Sequence, residues 1–169
     1  MRVNQQPGFT LIELIVTLAV LLITLSWAVP AFERLVARNA IASDIARLRT
    51  AVALARNTAV TRETTISLCP SPDQKRCTGN WSAPLLVIQG PFDGDHISAS
   101  TKILKVMPEG AVSNVKFRNN YRWLRIAASG WPRGYNGTFN LCDKSGESAA
   151  LVMSNTGRLR LGGSAQCDN

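Results

Sequence analysis

The chain has 169 residues and a mass of 18.3 kDa, room for one domain of ordinary size plus an appendage. It is 46% hydrophobic and only 18% charged, which excludes a disordered chain, and its 19 Lys+Arg against 11 Asp+Glu give +8 at pH 7, a bias that favours polyanionic partners or anionic surfaces. A single histidine, His96, removes multi-histidine metal sites and most histidine-based catalysis.

The hydrophobicity lies at the front. Phe9 to Phe32 holds 18 apolar residues in 24, broken only by Thr10, Glu13, Thr17, Thr24, Ser26 and Pro30. At about 1.5 Å per residue this run can cross a bilayer core of roughly 30 Å. Ahead of it stands a short polar leader, MRVNQQPG, with Arg2 and no acid. A secretory signal would have a shorter apolar core and a small-residue cleavage site after it. Here the run continues into ERLVARNAIASDIARLRTAVALARNTAV, where Ile41, Ile45, Leu48, Val52, Ala55 and Ala59 recur at spacings of 4, 3, 4, 3 and 4. That is the apolar face of an amphipathic helix packed on a domain. One helix of about 50 residues is therefore expected, membrane-embedded over 9–32 and amphipathic over 33–60. Pro30 predicts a kink or local melting near the junction. The helix arginines Arg34, Arg38, Arg47, Arg49 and Arg56 read as its solvated face or as contacts to other subunits.

Glu13 is out of place in this run. A carboxylate near the start of a span costs a few kcal/mol and calls for a partner, although a charge near the interface can also be tolerated. The segment G-F-T-L-I-E-L-I, Gly8 to Ile15, resembles the processing site of type IV pilins and type II secretion pseudopilins. The resemblance implies that a prepilin peptidase cuts between Gly8 and Phe9, removing residues 1–8, and methylates the new amino terminus. It also implies that Glu13 is the assembly glutamate, neutralising the terminal amine of a neighbouring subunit. Pairing with an opposite charge is the physical condition under which a buried carboxylate persists. Pro30 falls where pilins carry a helix-kinking proline.

After about Val60 the pattern changes to short β-prone runs between turn residues. The strands expected are Thr64–Leu68, Leu85–Gln89, Lys102–Met107, Val115–Arg118, Arg122–Ala127, Thr138–Cys142, Ala150–Ser154 and Arg158–Leu161. Turn signals separate them, among them Thr78-Gly79-Asn80, Asn136-Gly137 and Thr156-Gly157. The fold class is α+β, a long helix on antiparallel sheets, with residues 61–169 as one β-rich domain. Its four cysteines allow three pairings. Chain order and loop size favour Cys69–Cys77 and Cys142–Cys167, and a domain exported past the membrane sits where disulfides persist. A zinc site would need a C-x-x-C pair, which is lacking. Asp93 and Asp95, in a Gly-flanked loop, are a weak calcium signal without a ligand ladder.

The C-terminal half carries a second likeness. Ala149 to Gly162, AALVMSNTGRLRLG, and its approach SGWPRGYNGTFNLC, Ser129 to Cys142, resemble the signature of the FimT/FimU minor pilins and the GspH pseudopilin. Residues 70–115 carry no signature. The resemblance implies two antiparallel sheets on the long helix and a minor component of the filament. FimT-like members bind DNA during uptake through a C-terminal G-R-x-R motif, which Gly157, Arg158 and Arg160 match. Read physically, arginines at i and i+2 of an extended segment share a face, and a preceding glycine suits a tight turn at a hairpin rim. Two guanidiniums facing one way grip phosphates, yet they also suit a plain solvated strand.

The surrounding charge favours the first reading. Val115 to Tyr135 holds Lys116, Arg118, Arg122, Arg125 and Arg133 and no acid, interleaved with Phe117, Tyr121, Trp123, Trp131 and Tyr135. Lys116 and Arg118 repeat the i, i+2 spacing. Phe117 and Trp123 are expected inside, and Trp131, Pro132 and Tyr135 in an exposed loop. Phosphates would take the charge and rings would offer stacking, independently of base sequence. No supported nucleophile–base constellation, phosphate-cradling loop or paired-carboxylate site points to an enzyme, and no cofactor or metal is implied.

The function expected is a minor type IV pilin near the pilus tip that binds double-stranded DNA for uptake in natural transformation. Its expected partners are other major and minor pilins, the prepilin peptidase and the inner membrane. Its location would be the bacterial inner membrane as a single pass with a periplasmic C-terminal domain, then the pilus. The alternative is a structural minor pilin or GspH-like type II secretion pseudopilin that primes or caps assembly without touching DNA.

Overall fold

The computed structural model describes residues 10–92, 96–118 and 121–167. Among the described residues lie one helix, α1 (Leu11–Thr61), and eight strands: β1 (Ile66–Pro70), β2 (Leu85–Gln89), β3 (Ile103–Met107), β4 (Asn114–Phe117), β5 (Leu124–Ile126), β6 (Gly137–Cys142), β7 (Ser148–Met153) and β8 (Leu159–Leu161). Contacts divide the chain into two units, Met1–Val36 and Ala37–Asn169. All eight expected strands are present, with ends moved by up to two residues. The 51-residue helix runs through Pro30 without interruption, so the local melting expected there does not occur.

In the first unit every described residue, 10–36, is exposed, among them Leu14, Leu18, Leu21, Leu25, Phe32 and Val36. This stretch of α1 is long and apolar enough to cross a membrane, and none of its apolar window is buried inside the chain.

The second unit has its own core. Its helical part buries Ala37, Ile41, Ile45, Leu48, Ala51, Val52, Ala55 and Ala59, so the stripe legible in the sequence is the packed face. Two antiparallel four-stranded sheets meet it, in the orders β3-β2-β1-β5 and β4-β6-β7-β8. The main core joins helix and sheets around Trp81, whose ring meets Phe117 and Phe139 edge-on at 5.7 and 5.2 Å. In the first sheet, Ile66, Leu68, Leu85 and Val87 face this core. The alternate residues Cys69, Leu86 and Ile88 face a second cluster with Cys77 and Phe92. Burial on both faces explains why Leu85 to Ile88 is continuously apolar rather than alternating.

Two features of this packing differ from expectation. Asp44, on the helix stripe, is 1% exposed; its carboxylate accepts bonds from the amides of Ala111 and Val112 at 3.0 and 3.1 Å. Arg47 is not on a solvated face. Its side chain is 8% exposed, stands 3.4 Å from Asp44, and donates to the carbonyls of Trp81, Ala83 and Pro108. Together they fasten two loops to the helix. Burial pulls the Arg47 guanidinium below the ordinary arginine range, and Asp44 opposes that pull. The cysteines are joined as Cys69–Cys77 and Cys142–Cys167, with Cα separations of 5.4 and 5.9 Å.

Candidate nucleic-acid interface

The two ends of the chain carry different chemistry. Gly8 and Phe9 lie outside the described residues. Glu13 falls in the first turn of α1, where its amide donates to the Thr10 hydroxyl at 3.3 Å, so Thr10 caps the helix. A carboxylate in that first turn also meets the positive end of the helix dipole. Glu13 is exposed and makes no ion pair among the described residues.

At the other end, β7 and β8 form a hairpin closed by Ser154 to Gly157. The Gly157 amide donates to the Ser154 carbonyl at 2.9 Å, and the Arg158 amide donates to the Ser154 hydroxyl at 3.1 Å. Gly157 has φ +77°, and a Cβ there would stand 3.0 Å from Pro132 and 3.2 Å from Arg56. Conformation and space both require glycine. Arg158 follows at the rim, exposed and one residue ahead of β8, while Arg160 is exposed within β8 opposite Val152.

Arg158 does not stand alone. With Arg49, Val52, Ala53, Arg56, Gly157 and Leu159 it lines an open groove of about 230 Å³ between α1 and the hairpin turn. Arg56 is half-buried and donates through Nε to the Gly130 carbonyl at 3.0 Å. The groove has three guanidiniums, apolar walls and no acid. Among the described residues, Arg49, Arg158 and Arg160 make no ion pair. Sequence reasoning missed Arg49 and Arg56 as members of this group. Their signal was their spacing: Arg49, Val52, Ala53 and Arg56 lie at i, i+3, i+4 and i+7, one side of a helix.

The other predicted cations do not join them. Lys116 shares the outer face of the second sheet with Arg160, yet β4 and β8 are opposite edges, about 14 Å apart at ordinary strand spacing. Lys116 and Arg122 line a separate pocket with Gly79, Asn80 and Asn114. Arg118 does not repeat the strand geometry of Lys116. It has φ +35° just past β4, donates to the Gly134 carbonyl at 2.7 Å, and lies 4.8 Å over the Tyr121 ring. It packs beside Gly137, where a Cβ would collide with its side chain. Arg125 is half-buried, donating to the Phe92 carbonyl at 2.9 Å, and lines a third pocket with Arg133, Thr65, Pro91, Ala127 and Tyr135. The single basic face expected from the sequence is thus divided into separate patches.

The aromatic residues also sort differently. Phe117 is fully buried and Trp123 half-buried against the second cluster, as expected. Of the loop expected to be exposed, Trp131 is 51% exposed, but Pro132 is buried under Gly157 and Tyr135 packs partly against the main core. Asp93 and Asp95 lie outside the described residues, and no group of three or more candidate metal ligands occurs among the described ones.

Comparison with known proteins gives this geometry a family. The family model for "Type II transport protein GspH" matches residues 44–157, two thirds of the chain. Arg158 and Arg160 lie just beyond that match. The model for the prokaryotic N-terminal methylation motif matches residues 3–29. Among solved structures, two crystal forms of the type IV minor pilin FimU from Pseudomonas aeruginosa share the fold. One aligns with a TM-score of 0.57 at 24% identity, over 74% of this chain and 90% of that one. The other aligns with a TM-score of 0.54 at 23% identity, over 71% and 90%. Comparison with curated protein sequences finds no match. The chain therefore belongs to the GspH family, as a pilin-like subunit of the minor pilin or pseudopilin kind.

Proposed function

We propose that the chain is a minor pilin of a type IV pilus that contacts extracellular DNA through phosphates during uptake. In this reading prepilin peptidase cuts between Gly8 and Phe9, the apolar half of α1 holds the subunit in the inner membrane, and the domain from residue 37 faces the periplasm. Assembly into the filament, near its tip, pairs Glu13 with the terminal amine of a neighbouring subunit. The observation that carries the DNA reading is the acid-free groove in which Arg49, Arg56 and Arg158 converge, with Arg160 two residues on. Guanidiniums without acidic partners have no internal carboxylate for a phosphate to displace, and phosphates fit their paired donors. The remaining cations, Lys116 with Arg122 and Arg125 with Arg133, would add a diffuse field rather than direct grip.

The family description favours a second reading, a type II secretion pseudopilin whose arginines meet other subunits. The two part in the host cell. The Arg158→Ala, Arg160→Ala double variant should enter filaments normally and lose most transformation. Loss of filament assembly or secretion with the same variant would favour the second reading, and unchanged transformation would remove the first.

A further inference from the structure

We infer that Trp131, on the turn beside the α1 groove, is a base-stacking platform, so that single-stranded DNA gains at this site a contact that duplex DNA lacks. Phosphates would rest on the guanidiniums and an unpaired base on the indole. The inference rests on the DNA reading above and adds to it the strand state of the ligand.

Trp131 is 51% exposed, while the other large aromatics of the domain are occupied. Trp81, Phe117 and Phe139 fill the main core, Trp123 covers the second cluster, and Tyr121 meets Arg118, Phe117 and Tyr135. Among the described residues Trp131 has no ring or cation partner. A half-exposed indole leaves much apolar area in water, and a flat ring with a free face is what a nucleobase stacks on.

Its backbone is held firmly. The Trp131 carbonyl accepts from the amides of Ala127 and Arg133, each at 3.0 Å. Gly130, at φ +79°, packs so closely that a Cβ would stand 2.9 Å from Val60. Pro132 on the other side is buried beneath Gly157. The indole is therefore presented by an ordered turn, which lowers the ordering cost of binding.

Both neighbours of Trp131 touch residues that line the groove, although Trp131 itself is not part of the lining. The Gly130 carbonyl takes the Arg56 guanidinium, and Pro132 lies against the glycine that precedes Arg158. The same turn lines the third pocket through Ala127, Arg133 and Tyr135, where Arg125 adds a second cation. Neither lining contains an acid. A strand laid across this turn would meet the cations that line both grooves and the exposed indole of Trp131. Duplex DNA offers the same phosphates, but its bases are stacked on each other and out of reach of one surface indole.

The test compares three labelled ligands by fluorescence anisotropy, with the full chain in detergent micelles. They are an oligothymidylate of about twelve residues, an abasic deoxyribose-phosphate strand of the same length, and a duplex. Trp131→Ala should weaken oligothymidylate binding about tenfold, leaving the abasic strand and the duplex unchanged. Trp131→Phe, which keeps a ring, should recover most of the loss. Arg158→Ala should weaken all three. If Trp131→Ala affects all three ligands alike, or none, the stacking role is wrong while DNA binding stands. If the wild-type chain binds no ligand at low salt, the DNA reading itself fails and takes the stacking role with it.

Discussion

Asp44 and Arg47 together tie two loops of the domain to the helix. The Asp44 carboxylate accepts two amide bonds from the 111–112 segment and faces Arg47, whose guanidinium reaches three further carbonyls. Removing one member of such a buried pair leaves the other charge uncompensated. Asp44→Ala should therefore lower the unfolding free energy by about 3 kcal/mol, read by urea denaturation. A loss under about 1 kcal/mol would show that water or relaxation satisfies Arg47 instead. Two further acids act at low pH. Asp73 accepts from the amides of Lys75 and Arg76, and Asp143 from the amide and hydroxyl of Ser145; both are held below the usual carboxylate range, chiefly by those amide bonds. A carboxylate depressed in the folded state stabilises above its unfolded pKa, roughly 3.9, and that contribution is lost as pH falls through the folded value. Asp143→Asn should flatten the fall in Tm between about pH 5 and 2 without changing its sign. An acid limb identical to that of the wild type would contradict the assignment. The Asp44 network was not legible as a network. A charge at a stripe position is visible in the sequence, but its amide partners lie 67 and 68 residues away in a segment with no motif.

At the scale of elements, periodicity carried far. The helix stripe from Ile41 to Ala59 is readable because burial on one side imposes a period of 3.6, and the strands because short β-prone runs, alternating or continuously apolar, stand between turn residues. What the period does not show is where a strand stops. Arg118 looks like the continuation of Lys116, but the chain turns to φ +35° and gives its guanidinium to Gly134 and Tyr121. Nor does local sequence show which edges meet. Arg158 and Lys116 read as one surface, yet three strand spacings separate β4 from β8. The groove instead pairs the hairpin turn with α1, an alignment made only by tertiary packing. Two element-level predictions follow from the helix and the disulfides. Glu13→Val should leave a processed subunit in the membrane that fails to enter filaments, scored by sheared-pilus immunoblot; normal incorporation would refute the pairing role. Cys142→Ser with Cys167→Ser opens a loop of 25 residues separation and should cost about 3 kcal/mol, seen as a lower denaturation midpoint. A midpoint equal to that of the wild type would mean the tail is held without its bridge.

For the whole molecule, composition resolves into two regions. Residues 11–36 supply an apolar helix with no burial of its own, suited to lipid and then to neighbouring subunits. From residue 37 onward lie 17 Lys+Arg and 9 Asp+Glu, so the domain alone carries the full +8 of the chain. That charge is spread over several patches, of which the α1 groove gathers three guanidiniums. A field of this kind gives non-specific, salt-sensitive association with polyanions. The most direct measurement is the affinity of the chain for duplex DNA over a series of salt concentrations. Binding through the arginine groove predicts log Kd rising linearly with log salt, and a slope reduced by about one in Arg158→Ala. A slope unchanged by that substitution, or no binding at low salt, would contradict it.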